Sequence, residues 1–135
     1  MKKPFFLTMI LLAFLSAGCQ SQSVNDSKME EIAGRYEYDA NASYTTDVPQ
    51  EYWPGQIAKS GKDWVLDVTL RGALNEDPYI HVSVKVYWNQ VLGKYMFDKE
   101  DTRQFRKTVI YRDLEYLDVS ATELVLAGGY HWRRL

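Results

Sequence analysis

Two stretches of alternating sequence decide the fold, Asp63–Arg71 (DWVLDVTLR) and residues 79–88 (YIHVSVKVYW). In both, large apolar residues recur at every second position, and most of the residues between them are polar. This period is typical of a β-strand with one buried face. Residues 75–78 (NEDP), between the two stretches, have the composition of a turn. The sequence therefore predicts an antiparallel pair of strands with one face against a core.

Shorter runs with strand character lie on both sides of this pair. They are Gly34–Tyr38, residues 57–59, Lys94–Phe97, residues 107–111, residues 115–119, Glu123–Leu126 and Tyr130–Arg134. Many short strands at close spacing are typical of closed or stacked antiparallel sheets. We predict an all-β protein, a small antiparallel barrel or sandwich of about eight strands.

Two segments are less regular. Residues 102–117 contain the β-branched run KTVIY, which favours a strand, although Phe105, Val109 and Leu117 would also lie along one face of a helix. We expect a strand there. Residues 39–55 form the longest irregular stretch, and we expect them to cover one end of a barrel as a lid.

The amino terminus has the layout of a secretory signal peptide. Lys2 and Lys3 precede an apolar run over residues 5–15, and small residues follow at 16–18. The apolar run has eleven residues, whereas a membrane-spanning helix needs about 20. We therefore predict that residues 1–18 are a signal peptide that is removed.

Residues 15–19 (LSAGC) resemble the lipobox of bacterial lipoproteins. The resemblance implies that the thiol of Cys19 receives a diacylglycerol and that cleavage falls just before it. An ordinary signal peptide with an incidental thiol is the alternative. In Gram-negative lipoproteins an aspartate after the cysteine favours the inner membrane, and here that residue is Gln20. The resemblance thus favours an anchor in the outer membrane, with the domain facing the periplasm. In a Gram-positive source the same signal would place the protein on the plasma membrane.

Residues 20–28 (QSQSVNDSK) are polar and show no apolar period. Such sequences behave as flexible linkers, and nine extended residues reach about 30 Å. We expect a short helical turn at residues 29–32. The predicted organisation is a signal peptide at 1–18, the lipidated cysteine with its flexible tether at 19–31, and the β-barrel domain at 32–135.

Charge and cysteine content exclude several classes of function. The 135-residue chain carries a formal charge of −2, and removing residues 1–18 leaves 14 basic against 18 acidic residues. A mature charge of about −4 argues against nucleic acid as a partner. The single cysteine cannot form an intramolecular disulfide, and the resemblance assigns it to lipid. The expected partner is therefore the membrane, through the lipid on Cys19.

Candidate catalytic and metal-binding groups are sparse. His81 and His131 are fifty residues apart, and each has a solvent-facing position in its strand, so we expect no metal site. No serine lies in a Gly-x-Ser-x-Gly motif, and no glycine-rich phosphate loop is present. We therefore expect neither catalysis nor a cofactor.

Ten tyrosines and four tryptophans are the remaining compositional signal. Aromatic rings with a polar tip suit surfaces where an apolar wall meets water or a ligand. The candidate residues for binding a ligand or partner are Tyr52, Trp53, Trp64 and Trp88. The alternative is that Trp64 and Trp88 fill a small core while Tyr52 and Trp53 are loop surface.

Both ends of the domain resemble lipocalin-like, calycin-type lipoproteins. Residues 32–36 (IAGRY) match their Ile/Leu-x-Gly-x-Trp start except that Tyr36 replaces tryptophan, and residues 117–126 followed by YHWRR match their closing hairpin and strand. The resemblance implies a barrel that is filled by side chains or holds one small ligand. We expect a lipid-anchored envelope lipoprotein whose barrel binds a small apolar or amphiphilic ligand without catalysis. The alternative is an interaction or accessory protein with a filled barrel that binds another envelope protein or cell-wall glycan.

Overall fold

The computed structural model describes residues 22–73 and 78–135. An α-helix, α1, spans residues 22–32. The strands are β1 Gly34–Tyr38, β2 Pro54–Ser60, β3 Asp63–Arg71, β4 Tyr79–Asn89, β5 Lys94–Phe97, β6 Asp118–Val119, β7 Glu123–Leu126 and β8 Tyr130–Arg134. Two 3₁₀ helices, Gln50–Tyr52 and Asp101–Lys107, complete the elements.

Some of the sequence predictions fall outside this part of the chain. The predicted signal peptide (residues 1–18), Cys19 and most of the predicted turn at 75–78 are not among the described residues. Within the described ranges, no helix is both long enough and apolar enough to cross a lipid bilayer.

The eight strands form one antiparallel sheet in the order β5-β4-β3-β2-β1-β8-β7-β6. Strand β1 pairs with both β2 and β8, so the first and last strands of the chain meet. The seam between β5 and β6 is bridged where Met96 pairs with Tyr116 and where the N–H of Phe97 donates to the carbonyl of Glu115 at 3.1 Å. The sheet is a nearly closed barrel, which confirms the predicted all-β class and the number of strands.

Strand β3 shows how the alternating sequence builds the core. Trp64, Leu66, Val68 and Leu70 are buried, and the residues between them are partly exposed. The antiparallel register with β4 places Val68 opposite Val82, so the apolar faces of both strands meet inside the barrel. Burying one such aliphatic side chain contributes about 1.5–3 kcal/mol. The predicted antiparallel pair is therefore confirmed.

Helix α1 closes one end of the barrel, which we call the α1 end. The turns between β2 and β3 and between β4 and β5 lie at this end. Met29 and Ile32 are buried in the barrel core, and the side chain of Asn25 accepts a hydrogen bond from the backbone N–H of Trp88 at 2.8 Å. The helix is thus packed against the barrel along much of its length.

The predicted flexible tether over residues 20–28 is therefore wrong for residues 22–28, which are helical. The polar sequence predicted a linker because this part of α1 has no apolar stripe. It docks through hydrogen bonds instead. Asn25 and Asp26 both bond to the barrel. Tertiary contacts of this kind leave no period in the sequence. The short helical turn expected at residues 29–32 is the last turn of α1.

The carboxyl end of α1 is tied to the last strand. The guanidinium of Arg134 donates from Nη1 to the carbonyl of Glu31 and from Nη2 to that of Ala33, both at 2.7 Å. The hydroxyl of Tyr36 donates to the carbonyl of Ile32 at 2.6 Å, and burial raises the pKa of Tyr36. These donors satisfy carbonyls at the end of the helix, where a positive charge is also favourable.

The strand expected at residues 107–111 is wrong. Asp101–Lys107 is a 3₁₀ helix, and its Phe105 is buried in the core. Oγ1 of Thr108 donates to the carbonyl of Phe105 at 2.7 Å and accepts from the N–H of Ile110 at 3.2 Å. Side-chain bonds to the nearby backbone compete with strand pairing. They override the β preference of the branched residues here.

Residues 39–53 pack over the other end of the barrel, which we call the far end. Val48 and Trp53 contact the core. The hydroxyl of Tyr38 donates to the carbonyl of Thr45 at 2.6 Å. The segment covers this end of the barrel, as the sequence predicted.

Docking of α1 can be tested at Ser27, an exposed residue in the middle of the helix. Proline inside a helix removes a backbone hydrogen bond and costs about 3 kcal/mol. We expect Ser27→Pro to lower the free energy of unfolding by about 3 kcal/mol in urea denaturation followed by tryptophan fluorescence. Ser27→Ala is the matched control and should stay within about 0.5 kcal/mol of the parent. Equal stability of the two variants would contradict a docked helix.

Candidate functional site

The four aromatic residues predicted to bind a ligand or partner do not form one site. Trp64 and Trp88 lie at the α1 end of the barrel. Tyr52 and Trp53 lie at the far end, where the carbonyl of Trp53 accepts from the N–H of Tyr38 at 2.8 Å. Cys19, the predicted lipid attachment site, is outside the described residues. The two pairs therefore belong to opposite ends of the barrel.

Trp64 anchors the helix to the barrel. Its side chain is buried, and its Nε1–H donates to Oδ1 of Asp26 on α1 at 2.8 Å. Nζ of Lys59 lies 3.2 Å from Oδ2 of the same carboxylate. The hydrogen bond from Trp64, followed by that from Lys59, holds the pKa of Asp26 below its ordinary value. These contacts give Trp64 a role in docking α1.

Trp88 lies at the rim of the α1 end and is half-buried. Its ring meets that of Tyr95 edge to face with centroids 4.8 Å apart, and Nζ of Lys28 lies 4.7 Å from its centroid. The hydroxyl of Tyr95 donates to the carbonyl of Lys28 at 2.9 Å. Burial, and then the nearby Glu31, raise the pKa of Tyr95 to about 12. Trp88 thus belongs to the contact between α1 and the barrel.

Tyr52 and Trp53 are held rigidly at the far end. The ring of Tyr52 stacks on that of Tyr79 with centroids 4.2 Å apart and planes 15° apart. Nε1–H of Trp53 donates to the carbonyl of Val48 at 2.7 Å. Both residues are half-buried, so part of each remains at the surface. They form an ordered aromatic edge.

Side chains fill the core of the barrel. Trp132, Tyr36 and Phe105 are the largest of the fully buried residues. The pocket that Tyr38 and Leu70 border at the far end has a volume of about 10 Å³, room for about one water. Sites for small molecules occupy roughly 300–1,000 Å³. The core therefore has the packing of a filled barrel at this end.

A groove of about 870 Å³ runs along the outer wall of the barrel across β1 to β4. These strands turn Tyr36, Leu66 and Val82 inward, so the residues next to them face out. The outward-facing residues that line the groove are Arg35, Glu37, Gln56, Asp67 and His81, and its lining also includes Gln50, Trp53, Pro54 and Leu135. We call this surface the outer groove.

The outer groove presents hydrogen-bond donors beside acceptors. Nε2 of His81 lies 3.1 Å from Oδ1 of Asp67, and 62% of the imidazole side chain is exposed. Just beside the groove, Nη2 of Arg133 donates to Oε2 of Glu37 at 3.5 Å. No group of three or more His, Cys, Asp or Glu within residues 22–73 and 78–135 is placed to hold a metal ion. The arrangement suits binding of a polar ligand through exposed hydrogen-bonding groups.

The sequence predictions missed the outer groove, although part of its signal was present. Alternation in β3 and β4 already places Asp67 and His81 on the outward face. Their proximity depends on the register, which sets Asp67 opposite Ser83 and His81 opposite Thr69. Register between strands follows from the turn between them and from core packing. Alternation alone does not specify it.

Comparison of the chain with protein-family models, with curated proteins and with solved structures finds no significant match.

Asp26 should make the stability of the protein depend on acid pH. A carboxyl whose pKa is lowered in the folded state adds stability above its unfolded pKa of about 3.9, and that stability is lost as pH falls through the folded value. We expect the midpoint urea concentration of unfolding to fall as pH drops below about 4. In Asp26→Asn this decrease should be smaller.

The measurement is urea denaturation at a series of pH values, followed by tryptophan fluorescence. Asp47→Asn, at an exposed position in the far-end cover, is the control and should leave the profile as it is in the parent. A profile of Asp26→Asn that coincides with that of the parent would contradict the assigned role of Asp26.

Proposed function

We propose that this protein is a lipid-anchored lipoprotein of the bacterial envelope. Its filled, lipocalin-like barrel acts as a non-catalytic interaction module and binds cell-wall glycan in the outer groove. The observation that carries this proposal is a large groove on the outside of the barrel, with charged and amide side chains along it, while the core is packed with side chains. Binding on the outer wall fits that arrangement better than carriage inside.

The anchor is supported by the amino-terminal sequence. The LSAGC motif at residues 15–19 and the short apolar run before it are the features that a lipid-attachment enzyme reads in bacterial lipoproteins. Two or more acyl chains hold a protein stably on a membrane, because each buried methylene contributes about 0.8 kcal/mol. By the same resemblance to bacterial lipoproteins, Gln20 after the cysteine favours the outer membrane, with the domain in the periplasm.

The chemistry of the outer groove favours a polyhydroxylated ligand. A sugar hydroxyl both donates and accepts hydrogen bonds, and the groove offers acceptors at Glu37 and Asp67 beside donors at Arg35 and Gln56. Trp53 supplies an aromatic edge of the kind found where an apolar wall meets water. Cell-wall glycan is the polymer of this class that an anchored envelope protein meets.

Carriage of a small apolar or amphiphilic ligand inside the barrel stays a prediction from the sequence resemblance. Trp132 and Tyr36 are fully buried among the residues of the core. A ligand of ordinary size would have to displace such side chains, each of which stabilises the folded barrel. The packed core therefore favours the interaction module over the carrier.

Lipid attachment is tested by Cys19→Ser in the full chain. We expect the parent to incorporate labelled palmitate and to stay with the membrane fraction, because stable anchoring needs the acyl chains. The variant should lose the label and the stable anchorage. Ser23→Ala, four residues further on, is the matched control and should retain both. Palmitate on the Cys19→Ser protein would contradict the assignment.

Glycan binding is tested by sedimentation with insoluble peptidoglycan. Losing the hydrogen bonds of two exposed side chains, at about 0.5–1.5 kcal/mol each, should weaken binding about tenfold. We expect this loss for the double variant Gln56→Ala, His81→Ala. Ser83→Ala is the control, since Ser83 is outward-facing on β4 but does not line the groove.

Equal sedimentation of the double variant and the control would contradict the assignment of the outer groove as the glycan-binding site. If the parent itself failed to sediment with peptidoglycan but was crosslinked to an envelope protein through the groove, the glycan would be replaced by a protein partner.

A further inference from the structure

The docked helix leaves very little chain between the predicted anchor and the folded body. This inference rests on the lipid at Cys19 proposed above. Only Gln20 and Ser21 separate Cys19 from residue 22, which is already part of α1. Three residue steps span at most about 11 Å even when fully extended. The barrel must therefore lie directly against the bilayer that holds the lipid.

The first described turn of α1 lies beside strands β3 and β4. Gln22 borders a surface pocket with Lys62, Tyr87 and Trp88. One helical turn further on, Asn25 accepts the hydrogen bond from the backbone N–H of Trp88. By contrast, β3 runs nine residues, or about 30 Å, toward the far end. The membrane thus lies at the α1 end, and the far end is held away from it.

The turn between β4 and β5 presents apolar side chains at this same end. Val91 is 94% exposed and Leu92 is 50% exposed. The last paired residues of the two strands are Asn89 and Lys94, so the turn extends past the level at which α1 contacts Trp88. Adjacent exposed aliphatic residues at the tip of a turn are unfavourable in water. They become favourable when an apolar phase covers them.

We propose that the α1 end is seated on the lipid bilayer and that Val91 and Leu92 enter its interfacial layer. The occupant is the bilayer rather than a protein because the short link to Cys19 brings the lipid surface to this end. The α1 end carries charged groups of both signs, since Lys62 and Asp63 border the surface pocket beside Trp88 and the exposed Lys94 follows the turn. Contact should therefore depend weakly on anionic lipid.

This seating sets the orientation of the whole domain. The barrel stands on its α1 end, and the outer groove on β1 to β4 faces sideways along the membrane. The cover formed by residues 39–53 points away from the bilayer. A polymer lying parallel to the membrane could then enter the outer groove without lifting the protein from its anchor.

The experiment places a fluorescent reporter at three positions in the full-length lipidated protein. Cys19 is the only cysteine, so Val91→Cys, Ser83→Cys or Thr46→Cys each adds one free thiol for a nitrobenzoxadiazole label. Ser83 is on the side wall and Thr46 is in the far-end cover. Each labelled protein is reconstituted into phosphatidylcholine vesicles, with or without phosphatidylglycerol, that carry spin-labelled lipid chains.

We expect the label at position 91 to shift to shorter wavelength and to be quenched by shallow spin labels, because interfacial residues enter about 5–10 Å. The labels at positions 83 and 46 should keep the emission they have in water, in both vesicle types. Quenching at position 83 in place of 91 would show a barrel lying on its side and overturn the proposal. A blue shift at position 91 without quenching by lipid would show a covering protein or second copy and overturn it as well.

Palmitate incorporation, measured on the same samples, separates this inference from the proposed anchor. Lipidated protein with no quenching at position 91 would overturn the seating and leave the anchor intact. Protein without palmitate would overturn the anchor and the seating together.

Discussion

Pairing of β1 with the last strand is the contact on which the rest of the structure depends. Tyr36 lies opposite Arg134 and Tyr38 lies opposite Trp132, so both ends of the domain meet in one sheet. The rings of Tyr38 and Trp132 pack edge to face with centroids 5.2 Å apart inside the barrel. The same pairing brings the guanidinium of Arg134 under the carboxyl end of α1. Barrel closure and helix docking are therefore coupled.

This coupling accounts for where a binding site can lie. Helix α1 and the cover at residues 39–53 close the two ends of the barrel, and aromatic and aliphatic side chains pack between them. Surface for a partner is then left on the outer wall, where β1 to β4 present polar side chains. A barrel closed in this way leaves its outer wall for binding, and the proposed functions use that wall.

The strands were predictable because alternation is a local property. A strand that buries one face must place apolar residues at every second position, and β3 and β4 do so over nearly their whole length. The strand predicted at residues 107–111 is wrong for an equally physical reason. Thr108 hydrogen bonds to the neighbouring backbone, and the buried Phe105 fixes a 3₁₀ turn. The flexible tether predicted for residues 22–28 is wrong because Asn25 and Asp26 dock the helix through hydrogen bonds to residues far away in sequence.

The sequence by itself determined the strand faces, the all-β class and the motif at Cys19 that predicts the anchor, because each is written in neighbouring residues. Only the tertiary structure decided that residues 22–28 dock as a helix and that Asp67 and His81 share a groove. It also separated Trp64 and Trp88 from Tyr52 and Trp53. Register and long-range hydrogen bonds make those decisions, and they depend on how distant segments meet when the barrel closes.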